Sequence, residues 1–189
     1  MKFWFPIFIL MLFFPFRACL AENKLELSVL ERYGIETKPV KPVKELFAEA
    51  LLHAEKKEYL EAIMLYSELI ENHRNFIPAY SNRALMFYHL GDYEKSLSDF
   101  GKLVDIDPKS PDGYNGRGIV YLRQKKFGEA VEEFTRAVRR SPDFAMGYNN
   151  RAVAYLRLGN RQKSLEDVKK AQALGFKVPE NFLEKLKKE

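Results

Sequence analysis

The sequence repeats itself with a period of 34 residues, and this period constrains the fold more than any other feature. Residues 80–108 read YSNRALMFYHLGDYEKSLSDFGKLVDIDP, and residues 114–142 read YNGRGIVYLRQKKFGEAVEEFTRAVRRSP. A third copy opens at Tyr148 with YNNRAVAYLRLGNRQKSLEDVKKA. Apolar residues recur at helical spacing on both sides of a turn, which lies at Lys125-Lys126 in the second of these copies. A repeat of this length built from two helices predicts a solenoid, in which each unit buries its apolar face against its neighbours.

Small residues recur at two points of the repeat, one on each predicted helix. A small side chain at these points lets the two helices of a unit cross closely. On the second helix they are Ala62, Ser96, Ala130 and Ser164, and on the first helix they are Ala84, Gly118 and Ala152. Large apolar residues on the second helix, Tyr66, Phe100 and Phe134, are predicted to fill the space around each crossing.

These positions together closely resemble the tetratricopeptide repeat (TPR) family. The resemblance covers about residues 43–178 and implies an all-α solenoid, a right-handed superhelix of helix pairs. It divides the segment into four repeats, 43–76, 77–110, 111–144 and 145–178. The tail, residues 179–189, places Phe182, Leu183 and Leu186 on one side and predicts a capping helix over the last repeat.

Residues 1–21, MKFWFPIFILMLFFPFRACLA, have the pattern of a secretory signal peptide. Their apolar run is shorter than the ~20 residues of a membrane-spanning helix, and Arg17 interrupts it. We therefore expect cleavage after Ala21 and export to the periplasm or out of the cell. Two alternatives remain open: an uncleaved membrane anchor, and a lipoprotein acylated at Cys19. Residues 22–42 then form an arm and a Pro/Lys linker.

Composition argues against several other classes of protein. The net charge of +5 is small and unclustered, so nucleic acid is not an expected partner. Cys19 is the single cysteine, so the chain can form no internal disulfide. The three histidines lack metal-ligand spacing, and no nucleophile, base and orienting group can be assembled. We predict no catalytic residue, no metal and no cofactor.

Each arginine of the recurring Tyr-x-x-Arg motif is matched by an acid on the second helix of its own repeat. The first repeat lacks both, since Glu49 and Leu65 stand at these positions. Because arginine and acid are present or absent together, they are predicted to form structural ion pairs. The pairs are Arg83 with Asp99, Arg117 with Glu133, and Arg151 with Asp167.

In TPR proteins the first helices line a concave groove, and the resemblance implies which side chains face it here. They are Ser81, Asn82, Leu85, Tyr88, His89, Asn115, Ile119, Arg123, Asn149, Asn150, Val153 and Arg157. An asparagine can hydrogen-bond a peptide backbone as donor and acceptor, and Arg123 and Arg157 could hold an acidic group. The alternative is that these asparagines are simply solvated polar residues.

Some TPR domains hold the end of a chaperone tail with a two-carboxylate clamp, and the resemblance allows a check for it. Asn82 fits one clamp position. The lysine and asparagine required in the repeat before it are replaced by Phe47 and Leu51. The basic residues required in the repeat after it are replaced by Asp112 and Gly116. The clamp is therefore absent from the pattern.

The sequence thus predicts a non-enzymatic scaffold of the cell envelope or secretory pathway that binds a partner peptide or protein in its groove. The alternative is a structural subunit of an envelope assembly that uses its convex face and ends. Membrane association through the N-terminus is a third reading.

Overall fold

A computed structural model describes residues 41–187 of the chain, which form nine α-helices and no strand. The predicted signal peptide and nearly all of the predicted arm and linker lie outside these residues. The helices are α1 (Val43–Glu55), α2 (Tyr59–Asn72), α3 (Ile77–Leu90), α4 (Tyr93–Ile106), α5 (Asp112–Arg123), α6 (Phe127–Arg140), α7 (Ala145–Arg157), α8 (Arg161–Ala173) and α9 (Glu180–Lys187).

The chain divides into two compact units, residues 1–46 and 47–189. In the described part of the first unit, the backbone amides of Glu45 and Leu46 donate to the carbonyl of Pro42 and begin α1. In the second unit, each helix from α2 to α8 packs against the next one in the sequence, and α5 also contacts α7. This is the packing pattern of a solenoid, so the predicted fold class is confirmed.

The turn between the two helices of a repeat follows the 34-residue period in its backbone conformation. One residue in each turn is left-handed: Lys57 (φ 63°), Gly91 (φ 81°), Lys125 (φ 62°) and Gly159 (φ 77°). In two repeats the next residue caps the second helix: the side chain of Asp92 accepts from the amide of Lys95, and Asn160 accepts from that of Lys163. The turn therefore uses glycine in two repeats and a strained lysine in the other two.

The predicted helix crossings lie at the centre of the repeats. Ala62, Ser96, Ala130 and Ser164 are all fully buried. The hydroxyls of the two serines donate across the crossing to backbone carbonyls of the first helix, Ser96 to Ala84 at 2.8 Å and Ser164 to Ala152 at 2.7 Å. Burial and a satisfied hydroxyl explain why serine can alternate with alanine at this point.

Two glycines of α5 allow close approach of aromatic rings from the two neighbouring second helices. A Cβ atom on Gly118 would lie 2.5 Å from the ring of Phe134, its partner within the repeat. A Cβ atom on Gly116 would lie 2.3 Å from the ring of Phe100, which belongs to the preceding repeat. Gly118 was identified from the sequence, whereas the role of Gly116 between repeats was not.

Helix α9 covers the last repeat, as the apolar side of the tail predicted. Phe182, Leu183 and Leu186 pack with Ala152 and Val168. The guanidinium of Arg161, at the start of α8, donates to the carbonyl of Leu186 at 2.6 Å. The C-terminal part of α9 therefore lies on the side of the last repeat where α8 begins, so α9 and α7 run in the same direction.

The register of α9 is that of a further first helix. Phe182, Lys185 and Leu186 stand 34 residues after Tyr148, Arg151 and Ala152, in a weakened form of the Tyr-x-x-Arg motif. Helix α9 therefore extends the row of first helices by one.

Candidate functional site

The predicted groove residues lie on the first helices α3, α5 and α7, and we call the surface they form the first-helix face. Asn115 is buried, whereas Leu85, His89, Arg123 and Arg157 are exposed. The other seven are half-buried: Ser81, Asn82, Tyr88, Ile119, Asn149, Asn150 and Val153.

One hydrogen bond joins two successive first helices directly. The Nδ2 of Asn150 on α7 donates to the Oδ1 of Asn115 on α5 at 2.9 Å. Because the carbonyl of Asn115 is buried and already accepts this bond, it is not available to a peptide. Asn115 was predicted to face the groove as a peptide-binding amide, whereas in the structure its side chain links two repeats.

The remaining two asparagines differ from each other. The Nδ2 of Asn82 donates to the carbonyl of Pro78 in its own helix at 2.8 Å. The Oδ1 of Asn149 is shielded from solvent and has no hydrogen-bond partner among the described residues. An unsatisfied buried carbonyl costs about 1–3 kcal/mol, so Asn149 is destabilising as it stands.

Aromatic contacts hold the end of α3. The ring of His89 stacks on that of Tyr59 with centroids 5.2 Å apart and planes within 10° of parallel. The ring of Tyr88 meets that of Tyr93 edge to face at 6.1 Å. Both side chains therefore already have an aromatic partner within the fold.

The three predicted arginine–acid pairs are all present. Arg83 forms two hydrogen bonds to Asp99, at 2.7 and 2.8 Å. Arg151 forms two to Asp167, at 2.8 and 2.7 Å. In each case the hydrogen bond to the carboxylate raises the pKa of the arginine above its ordinary value. Both carboxylates are buried, so each depends on its guanidinium for compensation of its charge.

The same two arginines also reach the preceding repeat. The Nη1 of Arg83 donates to the hydroxyl of Ser67 at 2.9 Å, and the Nη1 of Arg151 donates to that of Thr135 at 3.2 Å. Their forked donors therefore connect three helices at once, a geometry that lysine could not reproduce.

The third pair has a different geometry. The Nη2 of Arg117 donates to Glu133 at 2.7 Å, and Arg136 donates to the same carboxylate oxygen. The other oxygen of Glu133 is buried and has no partner among the described residues. The longer glutamate side chain thus recruits a second arginine instead of forming the two-bond pair seen with aspartate.

A pocket of about 390 Å³ lies between α7 and α9. Three of its lining residues were predicted for the groove: Asn149, Val153 and Arg157. Leu156 and four residues of the tail complete the lining: Pro179, Asn181, Phe182 and Lys185. The tail was predicted only as a cap, and its contribution to the pocket lining was missed. The spacing of 34 residues from Arg151 to Lys185 could have indicated it.

Two structural features are absent from the part of the chain that the structure describes. Within residues 41–187, no group of three or more histidine, cysteine, aspartate or glutamate side chains is placed to hold a metal ion. Within the same residues, no helix has the length and apolar character needed to cross a membrane.

Profiles of known families match the repeats. A TPR repeat profile matches residues 84–125, and a tetratricopeptide repeat profile matches residues 115–175. The helix pairs and their solenoid packing agree with both. Residues 84–175 are therefore tetratricopeptide repeats.

Similar proteins include one from Arabidopsis thaliana. Hsp70-Hsp90 organizing protein 3 is 40% identical over 52 residues, which are 28% of this chain and 9% of that protein. The chain therefore matches about a tenth of the length of this relative, within one segment.

Two solved TPR structures illustrate the shared fold. The segment of MamA from residue 41 to its end, from Desulfovibrio magneticus RS-1, has a TM-score of 0.63 at 16% identity. The aligned region covers 84% of this chain and 95% of the MamA segment. The first TPR of Spaghetti (RPAP3), solved with the HSP90 peptide SRMEEVD, has a TM-score of 0.56 at 20% identity. It covers 62% of this chain and 93% of its own. At these identities the likeness concerns the fold alone.

Proposed function

We propose that this TPR protein is a non-enzymatic scaffold that binds an extended peptide segment of a partner protein on its first-helix face. The observation that carries the proposal is the hydrogen bond between Asn150 and Asn115, because it joins two successive first helices, α5 and α7, and so supports a continuous surface across them. A solenoid offers such a surface already formed, so little conformational entropy is lost from the scaffold on binding.

The chemistry of the face suits a peptide with an apolar residue near an acidic one. Leu85 is 37% exposed and Val153 is half-buried, so aliphatic surface is accessible on it. Arg123 and Arg157 are exposed cations at equivalent points of α5 and α7. Exposed cations of this kind chiefly set the orientation and association rate of an acidic partner.

Affinity capture from a cell-envelope extract, with the protein as bait, tests this proposal. We expect Leu85→Asp to release the captured partner, because it places a carboxylate on the apolar part of the first-helix face. The matched control is Leu60→Asp, the same change on the exposed surface of α2, where the leucine is 64% exposed. A partner that survives Leu85→Asp and is lost with Leu60→Asp would refute the proposal.

That reverse result would support the alternative, a structural subunit that assembles through its convex face and ends. Exposed apolar residues in the first repeat favour this alternative. Leu52, Leu60 and Met64 in the first repeat are 49%, 64% and 66% exposed, which places apolar side chains at one end of the array. Apolar surface at the end of a repeat array is commonly covered by another element or subunit.

We further propose that the protein is exported to the cell envelope or beyond, on the strength of the signal pattern in residues 1–21. N-terminal sequencing of the exported protein should read from Glu22. An acylated Cys19 or an intact Met1 in the membrane fraction would replace this proposal with the lipoprotein or the anchored form.

A further inference from the structure

The two ends of the repeat array expose apolar side chains at positions that are buried between the inner repeats. Leu52 on α1 is 49% exposed, whereas its equivalents Val120 and Ala154 are fully buried. Val131, on the second helix of the preceding repeat, packs against the cluster that contains Ala154. Leu165 on α8 is the equivalent of Val131 and is 39% exposed. Leu52 and Leu165 are therefore the two halves of one contact between repeats, and each lies open at its own end of the array.

A polar contact between repeats also has its two halves at these ends. The Nη1 of Arg151 donates to the hydroxyl of Thr135 in the preceding repeat. In the last repeat the position of Thr135 is taken by Lys169, which is exposed. In the first repeat the position of Arg151 is taken by Glu49. The two ends therefore carry an ammonium group and a carboxylate at the two positions of this contact, and these groups attract each other.

The net charges of the two ends are opposite. Residues 47–76 contain six glutamates against three lysines and arginines. Residues 145–187 contain nine lysines and arginines against four acids. A first repeat is therefore attracted to a last repeat, whereas two first repeats or two last repeats repel each other.

Helix α9 occupies the place that the first helix of another copy would need. Its apolar residues pack against the last repeat, and it has the register of a first helix. In this register Lys185 takes the position of Arg151, so the contact position of Lys169 is assigned a second cation. Glu49 of another copy would bring an opposite charge to the same position.

We infer that the protein binds a second copy of itself head to tail, with α1 of one copy on α8 of the other, and that α9 is an exchangeable cap that limits this assembly. Leu52 packs on Leu165 of the other copy, and Glu49 pairs with its Lys169. Because the contact joins two different ends, it is heterologous and repeats into open chains. The inference concerns the ends of the array and goes beyond the peptide binding proposed for the first-helix face.

Sedimentation velocity of the purified protein over a range of concentrations tests the assembly. Phe182→Asp should loosen α9 and tighten self-association about tenfold or more, because it removes apolar burial from the competing cap. Addition of Leu52→Asp to this variant should return it to the monomer. Addition of Leu60→Asp is the matched control and should leave the association unchanged. Leu60 is 64% exposed, but its equivalents Glu94 and Gln162 are exposed as well, so no contact between repeats covers this position.

A mixture of two blocked variants shows whether the contact is head to tail. On the Phe182→Asp background, Leu52→Asp blocks the α1 end and Leu165→Asp blocks the α8 end. Each variant should be monomeric alone, and their equimolar mixture should form a dimer and no longer species, since one compatible pair of ends remains. A Leu165→Asp variant that dimerises alone would mean that two α1 ends bind each other, which overturns the inference.

An exchange of charges tests the polar contact on the same background. Lys169→Glu should weaken self-association about two- to fivefold, the range that exposed ion pairs supply, and Glu49→Lys in the same chain should restore it. Lys170→Glu changes the net charge equally at a neighbouring exposed lysine and should have the smaller effect.

The inference is overturned if Phe182→Asp and Leu183→Asp, which both act on the cap, leave the protein monomeric. It is also overturned if the mixture forms no dimer or if the double charge exchange restores nothing. Its failure is distinguishable from that of the proposed function, because Leu85→Asp should release a captured partner and leave self-association unchanged.

Discussion

Replacement of the left-handed lysine in the third repeat, Lys125→Gly, should stabilise the protein. Lys125 has φ 62°, while Gly91 and Gly159 hold the same position in the neighbouring repeats with φ 81° and 77°. This conformation costs a residue with a side chain about 1–2 kcal/mol and costs glycine almost nothing. Glycine also gives the unfolded chain more freedom, which offsets about 0.5–1 kcal/mol of that gain.

The net expectation is a gain of about 0.5–1 kcal/mol in the free energy of unfolding. The reverse change, Gly159→Ala, should cost a similar amount. A Cβ atom at Gly159 would meet nothing within 4 Å, so the cost there is conformational and involves no steric clash. Lys125→Gln keeps a side chain at positive φ and should stay within about 0.5 kcal/mol of the parent.

Urea unfolding followed by circular dichroism measures these differences, with the slope of the transition as a check that the unfolded state is unchanged. In thermal melts a gain of 1 kcal/mol corresponds to an increase of about 2–4 °C for a chain of this size. The reasoning fails if Lys125→Gly is less stable than Lys125→Gln, or if Gly159→Ala is neutral. Either result would mean that the backbone conformation does not determine the stability of this turn.

Three further variants test the packing, the buried hydroxyl and the ion pairs. Gly116→Ala should lower the free energy of unfolding by about 1–3 kcal/mol, because its Cβ would lie 2.3 Å from the ring of Phe100. Gly101→Ala has open space and should stabilise its helix. Equal denaturation midpoints for the two variants would contradict this packing. Burial raises the pKa of Tyr66 to about 12, so the contribution of this phenol to stability is present below pH 10 and is lost as the pH rises toward about 12. Between these pH values the free energy of unfolding should decline less for Tyr66→Phe than for the parent protein. Arg151→Met should cost about 3–5 kcal/mol in urea melts by leaving a buried carboxylate unpaired, and replacement of that carboxylate by an amide in the same chain should recover part of the loss.

Much of the fold could be predicted because the determining interactions recur within one 34-residue unit. Ala130 at the helix crossing follows from a pattern that is repeated along the chain, so one repeat supports the interpretation of another. The arginine–acid pairs were predictable for the same reason, since Arg83 and Asp99 lie 16 residues apart within one repeat. Local, periodic contacts leave a clear trace in the sequence.

Contacts between repeats were decided by the tertiary structure. Whether Asn115 faces a ligand or a neighbouring helix depends on the position of Asn150, 35 residues later, and a shift of an ångström would separate the two side chains. The contact between Gly116 and Phe100 likewise depends on how closely two repeats stack, which composition does not specify.

Helix α9 shows most clearly which features follow from the sequence pattern and which follow from the tertiary structure. The apolar side formed by Phe182 and Leu186 was sufficient to predict a helix that covers the last repeat, because burial of apolar surface requires only that such a side exists. That Lys185 lines the same pocket as Arg157, and that the Oδ1 of Asn149 has no donor among the described residues, required the packed structure. Hydrophobic burial is non-directional and is evident from the pattern of residue types, whereas hydrogen bonds and charge placement depend on geometry that is set only when the helices pack.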